Sequence, residues 1–125
     1  MRLAHTMIRV RDLDASLEFY CDFLGLQEIC RKDLGDDATL VFLTDDSQKY
    51  HIELKFNKDG RDYTIRNQFG HLAFHVDDLA WVISDVKDRG WWFRQSKPTS
   101  SSQYIFIHDP DGYDVEILQV PSAQN

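Results

Sequence analysis

The stretch His5-Thr6-Met7-Ile8-Arg9-Val10-Arg11-Asp12-Leu13 returns, sixty-six residues on, as His71-Leu72-Ala73-Phe74-His75-Val76-Asp77-Asp78-Leu79. Histidine, valine, aspartate and leucine coincide at 5/71, 10/76, 12/78 and 13/79. Each copy leads into a helical pattern that ends in glycine, at Gly25 and Gly90. Each half then closes on an apolar–Glu–apolar triplet, Ile52-Glu53-Leu54 and Val115-Glu116-Ile117. Chance can produce four identities in nine positions, but four landmarks recurring in the same order mark an internal duplication. The period exceeds the ~20–50 residues of a solenoid unit, and two copies do not make an array.

Hydrophobic periodicity supports the same division. Leu3 to Val10 is expected as a strand, with Ala4, Ile8 and Val10 on one face and His5, Met7 and Arg9 on the other. Asp12 suits the N-cap of a helix whose Leu13, Leu17, Tyr20 and Leu24 recur at three- and four-residue spacing, and Gly25 suits its left-handed end. Thr39 to Leu43 and Tyr50 to Phe56 read as strands. In the second half His71 to Val76 is a strand, and Asp77 or Asp78 caps a helix carrying Leu79, Val82, Ile83 and Val86. Strands near Trp92, at Tyr104 to Ile107 and at Tyr113 to Val120 complete the copy, with Asp109-Pro110-Asp111-Gly112 as a tight turn before the last. The expected class is α+β: tandem βαβββ modules, about 1–57 and 69–120, making one domain over 1–120. Residues 58–68 are expected as a linker and 121–125 as a tail. A module of ~55 residues buries little surface alone, so two must share a core or dimerise.

The 125 residues are 42% hydrophobic and 13% aromatic, which fits a folded domain and excludes disorder. No apolar run approaches the ~20 residues of a membrane span, and the N-terminus carries arginines where a signal peptide would be apolar. The net charge of −7 argues against nucleic acid. Cys21 and Cys30 form no CxxC pair, and the cytoplasm is the expected compartment.

Alternation also sorts the polar residues. On the Glu53 strand, Ile52, Leu54 and Phe56 share one face and Glu53, Lys55 and Asn57 the other. The helix is expected over the apolar faces, which leaves His5, Arg9, Glu53 and Asn57 on the concave side and His71 with Glu116 in the duplicate positions. Two imidazoles and two carboxylates make an N/O site for a divalent transition metal with open water positions. His51, His75 and His108 lack a repeat-related acid and read as structural or surface residues. Trp81, Trp91 and Trp92 read as core.

At these residues the chain resembles the vicinal oxygen chelate superfamily, and within it the short bacterial type of glyoxalase I (lactoylglutathione lyase). The resemblance rests on His5 to Val10, Ile52-Glu53-Leu54 with Asn57, Gly70-His71, and the aspartate-proline turn leading to Glu116. It implies four metal ligands, His5, Glu53, His71 and Glu116, with Ni(II) or Co(II) favoured and Zn(II) possible. It implies that Arg9 and Asn57 hold the glutathione part of the substrate, with Arg66 and Lys97 as further candidates. It implies isomerisation of the methylglyoxal–glutathione hemithioacetal to S-lactoylglutathione, with Glu116 as the base and Glu53 the near-symmetric alternative. A homodimer with metal sites at its interface is implied as well. The sequence departs from the family after Asn57, where Lys58-Asp59-Gly60 replaces the usual Trp-Gly. The alternatives are an acyl-CoA epimerase or thiol transferase of the same superfamily, or a non-catalytic small-molecule-binding module. A thiol transferase or ring-cleaving dioxygenase would use two histidines and one carboxylate, so a fourth ligand at Glu53 counts against both.

Overall fold

The computed structural model describes residues 1–121. Its contacts divide the chain into two units, Met1–Thr64 and a second that begins at Ile65. In the first, β1 (Thr6–Arg9), α1 (Leu13–Leu17), β2 (Gln27–Asp33), β3 (Ala38–Thr44) and β4 (His51–Asn57) form a four-stranded sheet in the order β1-β4-β3-β2. In the second, β5 (His71–Val76), α2 (Leu79–Asp88), β6 (Arg94–Gln95), β7 (Tyr104–His108) and β8 (Asp114–Gln119) repeat that order as β5-β8-β7-β6. In each sheet the first strand runs parallel to the last, and the remaining pairs are antiparallel. The α+β class and the βαβββ order are as expected.

The helices start where the aspartates dictate. Asp12 caps α1 by accepting from the Ala15 amide at 3.1 Å, and Asp78 caps α2 by accepting from the Trp81 amide at 3.1 Å. Gly25 (φ 80) and Gly90 (φ 72) occupy the left-handed residue past the helical segments. α1 does not present the expected leucine stripe, however. It runs on as a π-helical stretch, Glu18–Phe23, in which the Leu24 amide reaches back to the Phe19 carbonyl at 3.0 Å. The wider turn delays the return of the buried face, so Ser16, Phe19 and Tyr20 are buried while Leu13, Leu17 and Leu24 are only half-covered.

The buried faces of the strands follow the registers. Ile8 lies opposite Leu54, and Leu54 opposite Val41; in the second unit Val115 lies opposite Ile107 and Ile117 opposite Ile105. All seven are buried, as are Leu79, Val82 and Val86 on α2. The side chain of Gln119 fastens α2 to the end of β8, accepting from the Leu79 amide at 2.9 Å and donating to the Asp77 carbonyl at 2.6 Å.

Three expectations change. The first strand begins at Thr6 instead of Leu3, which leaves His5 just ahead of it. β2 went unread because every one of its residues is exposed: it is an edge strand, charged along its length and bulged between Glu28 and Cys30. Residues 58–68 hold no helix or strand and contain the boundary between the units, as a linker should, but they are tied down. The Lys58 amide donates to the Asp37 carbonyl at 2.9 Å and Arg11 Nε lies 2.6 Å from Asp62, while beyond the unit boundary Phe69 packs edge-to-face on Tyr113 at 5.8 Å. Trp81 and Trp92 are 65% and 52% exposed, because both fall outside the buried stripe of α2 and its strands. Of the expected tail, only Pro121 falls within the described residues.

Leu54 is fully buried at the centre of its sheet. Leu54→Ala should therefore lower the unfolding free energy by about 2–5 kcal/mol in urea titrations, and Asp78→Ala by about 1 kcal/mol. A Leu54→Ala loss well under 1 kcal/mol would contradict this packing.

Candidate metal centre and substrate cleft

In the first unit, parallel pairing of β1 with β4 sets Met7 opposite Glu53, so His5, two residues earlier on the same face, reaches the carboxylate. His5 Nε2 stands 2.9 Å from Glu53 Oε2. The imidazole meets the Phe42 ring edge-to-face at 5.4 Å, and Phe42 is itself the β3 partner of Glu53. Lys32 Nζ lies 5.7 Å over that ring.

The second unit repeats the arrangement. His71, the first residue of β5, places Nε2 3.3 Å from Glu116 Oε1. Its ring meets Phe106 edge-to-face at 5.0 Å, Phe106 is the β7 partner of Glu116, and Arg94 lies 4.9 Å over Phe106. Each unit thus holds one imidazole, one carboxylate and one phenyl ring in matching places, with a cation over the ring that comes from a different register position in each: Arg94 pairs with Phe106, whereas Lys32 pairs with Leu40. Sequence reasoning missed the two phenylalanines. Each sits inside an apolar triplet, Val41-Phe42-Leu43 and Ile105-Phe106-Ile107, that reads as core; only the flanking residues are buried, and the phenyl rings stand on the other face.

These pairs suit a divalent metal. Two ligand atoms on adjacent corners of one ion, each bonded at about 2.1 Å, lie about 3 Å apart; the donor atoms of the two pairs are 2.9 and 3.3 Å apart. The carboxylates are mostly covered, at 12% and 16% exposure, and the imidazoles are half-open at 37% and 39%. Among the described residues, neither unit alone gathers three histidine, cysteine or carboxylate side chains as a metal site.

The other expected site residues divide. Arg9 is exposed on the Glu53 face, opposite Lys55 in the register. Asn57, at the end of β4, donates its amide to the Tyr63 hydroxyl at 2.7 Å. Asn57 and Tyr63 line a cleft of about 190 Å³ with Val10, Arg11, Phe56 and Arg61. Arg11 braces this cleft: it binds Asp62, donates to the Tyr63 carbonyl and lies 5.6 Å over the Tyr63 ring. The segment Lys58-Asp59-Gly60 therefore still returns an aromatic hydroxyl to Asn57. Neither Tyr63 nor Arg11 stood out in sequence, since nothing in the local pattern pairs residues some fifty positions apart.

Arg66 and Lys97 are exposed, with no site contact among the described residues. His75 occupies the place of Arg9 in the second sheet and is exposed. His108 does have an acidic partner, Asp114 at 3.2 Å, and Trp92 stacks on it at 4.4 Å. The aspartate-proline turn holds as expected. Buried Asp109 accepts from the amides of Asp111 and Tyr113, each at 2.9 Å, and so fixes the start of β8.

A profile of the Glyoxalase/Bleomycin resistance protein/Dioxygenase superfamily matches residues 2–117. The sequence is 38% identical to a probable lactoylglutathione lyase of Synechocystis sp., over 100% of both chains. It is 37% identical to a lactoylglutathione lyase of Neisseria meningitidis serogroup B, over 100% of this chain and 95% of the relative. The solved structure of the trypanothione-dependent glyoxalase I of Leishmania major is similar with a TM-score of 0.81 at 33% identity, covering 95% of this chain and 86% of that one.

The brace on the cleft has a pH signature. The hydrogen bond from Arg11 holds the Asp62 carboxyl below its ordinary value. A depressed folded-state value means the contact is complete above the unfolded value of about 3.9 and is lost as pH falls through the folded one. The NMR signals of the Tyr63 ring should stay constant from about pH 7 to 4 and move only below that. A shift centred above pH 5 would place some other group in control of the cleft.

Proposed function

The chain belongs to the Glyoxalase/Bleomycin resistance protein/Dioxygenase superfamily, and from that premise we propose that it is a lactoylglutathione lyase. It converts the hemithioacetal of methylglyoxal and glutathione into S-lactoylglutathione and so removes methylglyoxal. Its full-length likeness to lactoylglutathione lyases supports this reading. The observation that carries it is the repeated His–Glu pair, 2.9 and 3.3 Å between donor atoms, each backed by a phenylalanine.

The family implies a divalent metal. We assign its ligands to His5 and Glu53 of one chain with His71 and Glu116 of a second, in a homodimer, and favour Ni(II) or Co(II) over Zn(II) by the resemblance of this chain to the nickel/cobalt-activated class of the family. When bound, the ion supplies Lewis-acid stabilisation to the two adjacent oxygens of the substrate. The remaining work falls to side chains. A weakly acidic C–H beside a carbonyl must lose its proton, and the same proton must return to the neighbouring carbon.

Glu116 is the better placed base. Its register neighbour on β5 is Ala73, whereas Glu53 has Met7 beside it on β1. The methyl group leaves room for Glu116 to turn toward a substrate carbon; the longer methionine fills the same place beside Glu53. The enclosure of both carboxylates strengthens every charge interaction they make. Arg9 and Asn57 hold the glutathione part: Arg9 attracts its negative charge, and Asn57, whose NH2 group is committed to Tyr63, offers its carbonyl to a donor on the ligand. The free thiols Cys21 and Cys30 suit a reducing compartment, and we place the enzyme in the cytoplasm.

Stripping the protein with chelator should abolish S-lactoylglutathione formation, and Ni(II) or Co(II) should restore it better than Zn(II). An absence of turnover with every metal tried would sink the assignment. Glu116→Gln should lower kcat about 10²–10⁴-fold with metal content near that of the parent, and full activity would move the base to Glu53. Arg9→Ala should raise KM for the hemithioacetal about tenfold with kcat little changed; an unchanged KM would remove Arg9 from substrate binding.

A further inference from the structure

Asn57 closes β4 with one flank open. Ala38 pairs with it on β3, but the β1 ladder stops two residues short, where Arg9 meets Lys55. On the open flank the chain turns through Lys58-Asp59-Gly60 and brings Tyr63 back, its hydroxyl 2.7 Å from the Asn57 side-chain nitrogen. A side-chain amide at a strand end can swing about both of its rotatable bonds, and a fixed partner removes most of that freedom. Tyr63 can serve as that partner only if it is itself fixed.

The backbone and ring of Tyr63 are held by one neighbour. Arg11 donates to the Tyr63 carbonyl and lies 5.6 Å over its ring. Asp62 accepts from the Tyr63 amide at 2.8 Å, and the same carboxylate oxygen accepts from Arg11 Nε at 2.6 Å. One guanidinium therefore sets Tyr63 at its carbonyl, at its ring and, through Asp62, at its amide. A planar fork has that reach and a point charge does not. At the other end of the turn, Lys58 Nζ donates to Asp33 at 2.8 Å and to the Gly35 carbonyl. Residues 58–62 are all exposed, so charge and hydrogen bonding hold this turn in place of apolar burial.

We propose that Tyr63 is a positioning residue for the thiol half of the substrate, acting through Asn57 and set in turn by Arg11. This rests on the lactoylglutathione lyase reading, in which Asn57 contacts the ligand, and adds two residues whose effect passes through it. In that reading the reacting atoms lie at the His–Glu pairs, so the relay governs how tightly the ligand is held and leaves the proton transfer alone. One orienting hydrogen bond between neutral groups accounts for about a fivefold change in binding. Residues that act in series lose additivity, because removing any one of them disconnects the rest.

The test measures Kd for S-methylglutathione, a ligand that cannot react, by calorimetry, together with KM and kcat for the hemithioacetal, all on metal-loaded enzyme. Tyr63→Phe should raise Kd and KM about fivefold, with kcat within about twofold of the parent. Arg11→Met should do the same, and the two changes together should be no worse than either alone. Adding Tyr63→Phe to Asn57→Ala should alter Kd by less than about twofold; a merely structural role for Tyr63 would keep its full effect there. An unchanged Kd in Tyr63→Phe, or a loss that persists undiminished beside Asn57→Ala, would overturn the relay while leaving the enzymatic reading in place. Failure of the unaltered enzyme both to bind S-methylglutathione and to turn over the hemithioacetal would overturn that reading itself, and the relay with it.

Discussion

The structure depends on the parallel pairing of the first and last strands of each unit. A parallel pair cannot be closed by a tight turn; the chain must travel through a helix and two further strands before it returns. That return is what makes neighbours of His5 and Glu53, and of His71 and Glu116, residues at opposite ends of their units. Register matters as much as pairing. A slip of one residue would turn Glu53 to the buried face, exchange it for Leu54, and leave the imidazole facing an alkyl chain. The burial of Ile8 against Leu54 and of Leu54 against Val41 opposes that slip, so packing on one face of the sheet fixes the chemistry on the other.

This dependence explains what could be read from the sequence. Strand parity is local, and it assigned His5, Arg9, Glu53 and Asn57 to one face because each is flanked by apolar residues of opposite parity. Helix caps are local too, and Asp12, Asp78, Gly25 and Gly90 announced themselves by position. The unread parts are those where a residue's role is set by a distant partner. Phe42 and Phe106 look like core until β3 and β7 are paired with β4 and β8. Tyr63 acquires a purpose only when Arg11 draws it back to Asn57. β2 has almost no apolar signal because all of its residues are exposed, and the π-helical stretch after α1 rotates a buried stripe that simple helical spacing puts elsewhere.

The two units have kept one design and divided its uses. Both hold the imidazole, the carboxylate, the supporting phenyl ring and a cation on that ring. Around this shared set, matching positions differ in a consistent direction: Arg9 corresponds to His75, Lys55 to Leu118, and Met7 to Ala73. The first sheet has gathered fixed positive charge beside its carboxylate, and the second has cleared space beside its own. Charge is what an anionic ligand needs for capture; space is what a carboxylate needs in order to change partners during a proton transfer.

A duplicated module can accommodate this division where a single one cannot. Metal ligation of the kind proposed would favour symmetry, since equivalent strands offer equivalent donors without separate adjustment of each. Isomerisation asks for asymmetry, because one carbon loses the proton, the other regains it, and the bulk of the ligand lies to one side. Holding the His–Glu pairs on the parallel strand pairs, β1–β4 and β5–β8, while variation falls at flanking register positions, would satisfy both demands on one backbone. The acidity of the whole chain is compatible with an anionic substrate for the same reason. At the ionic strength of a cell, screening confines exposed charges to a range of about 8 Å, so the potential on the Glu53 face follows the charges on that face more than the carboxylates elsewhere.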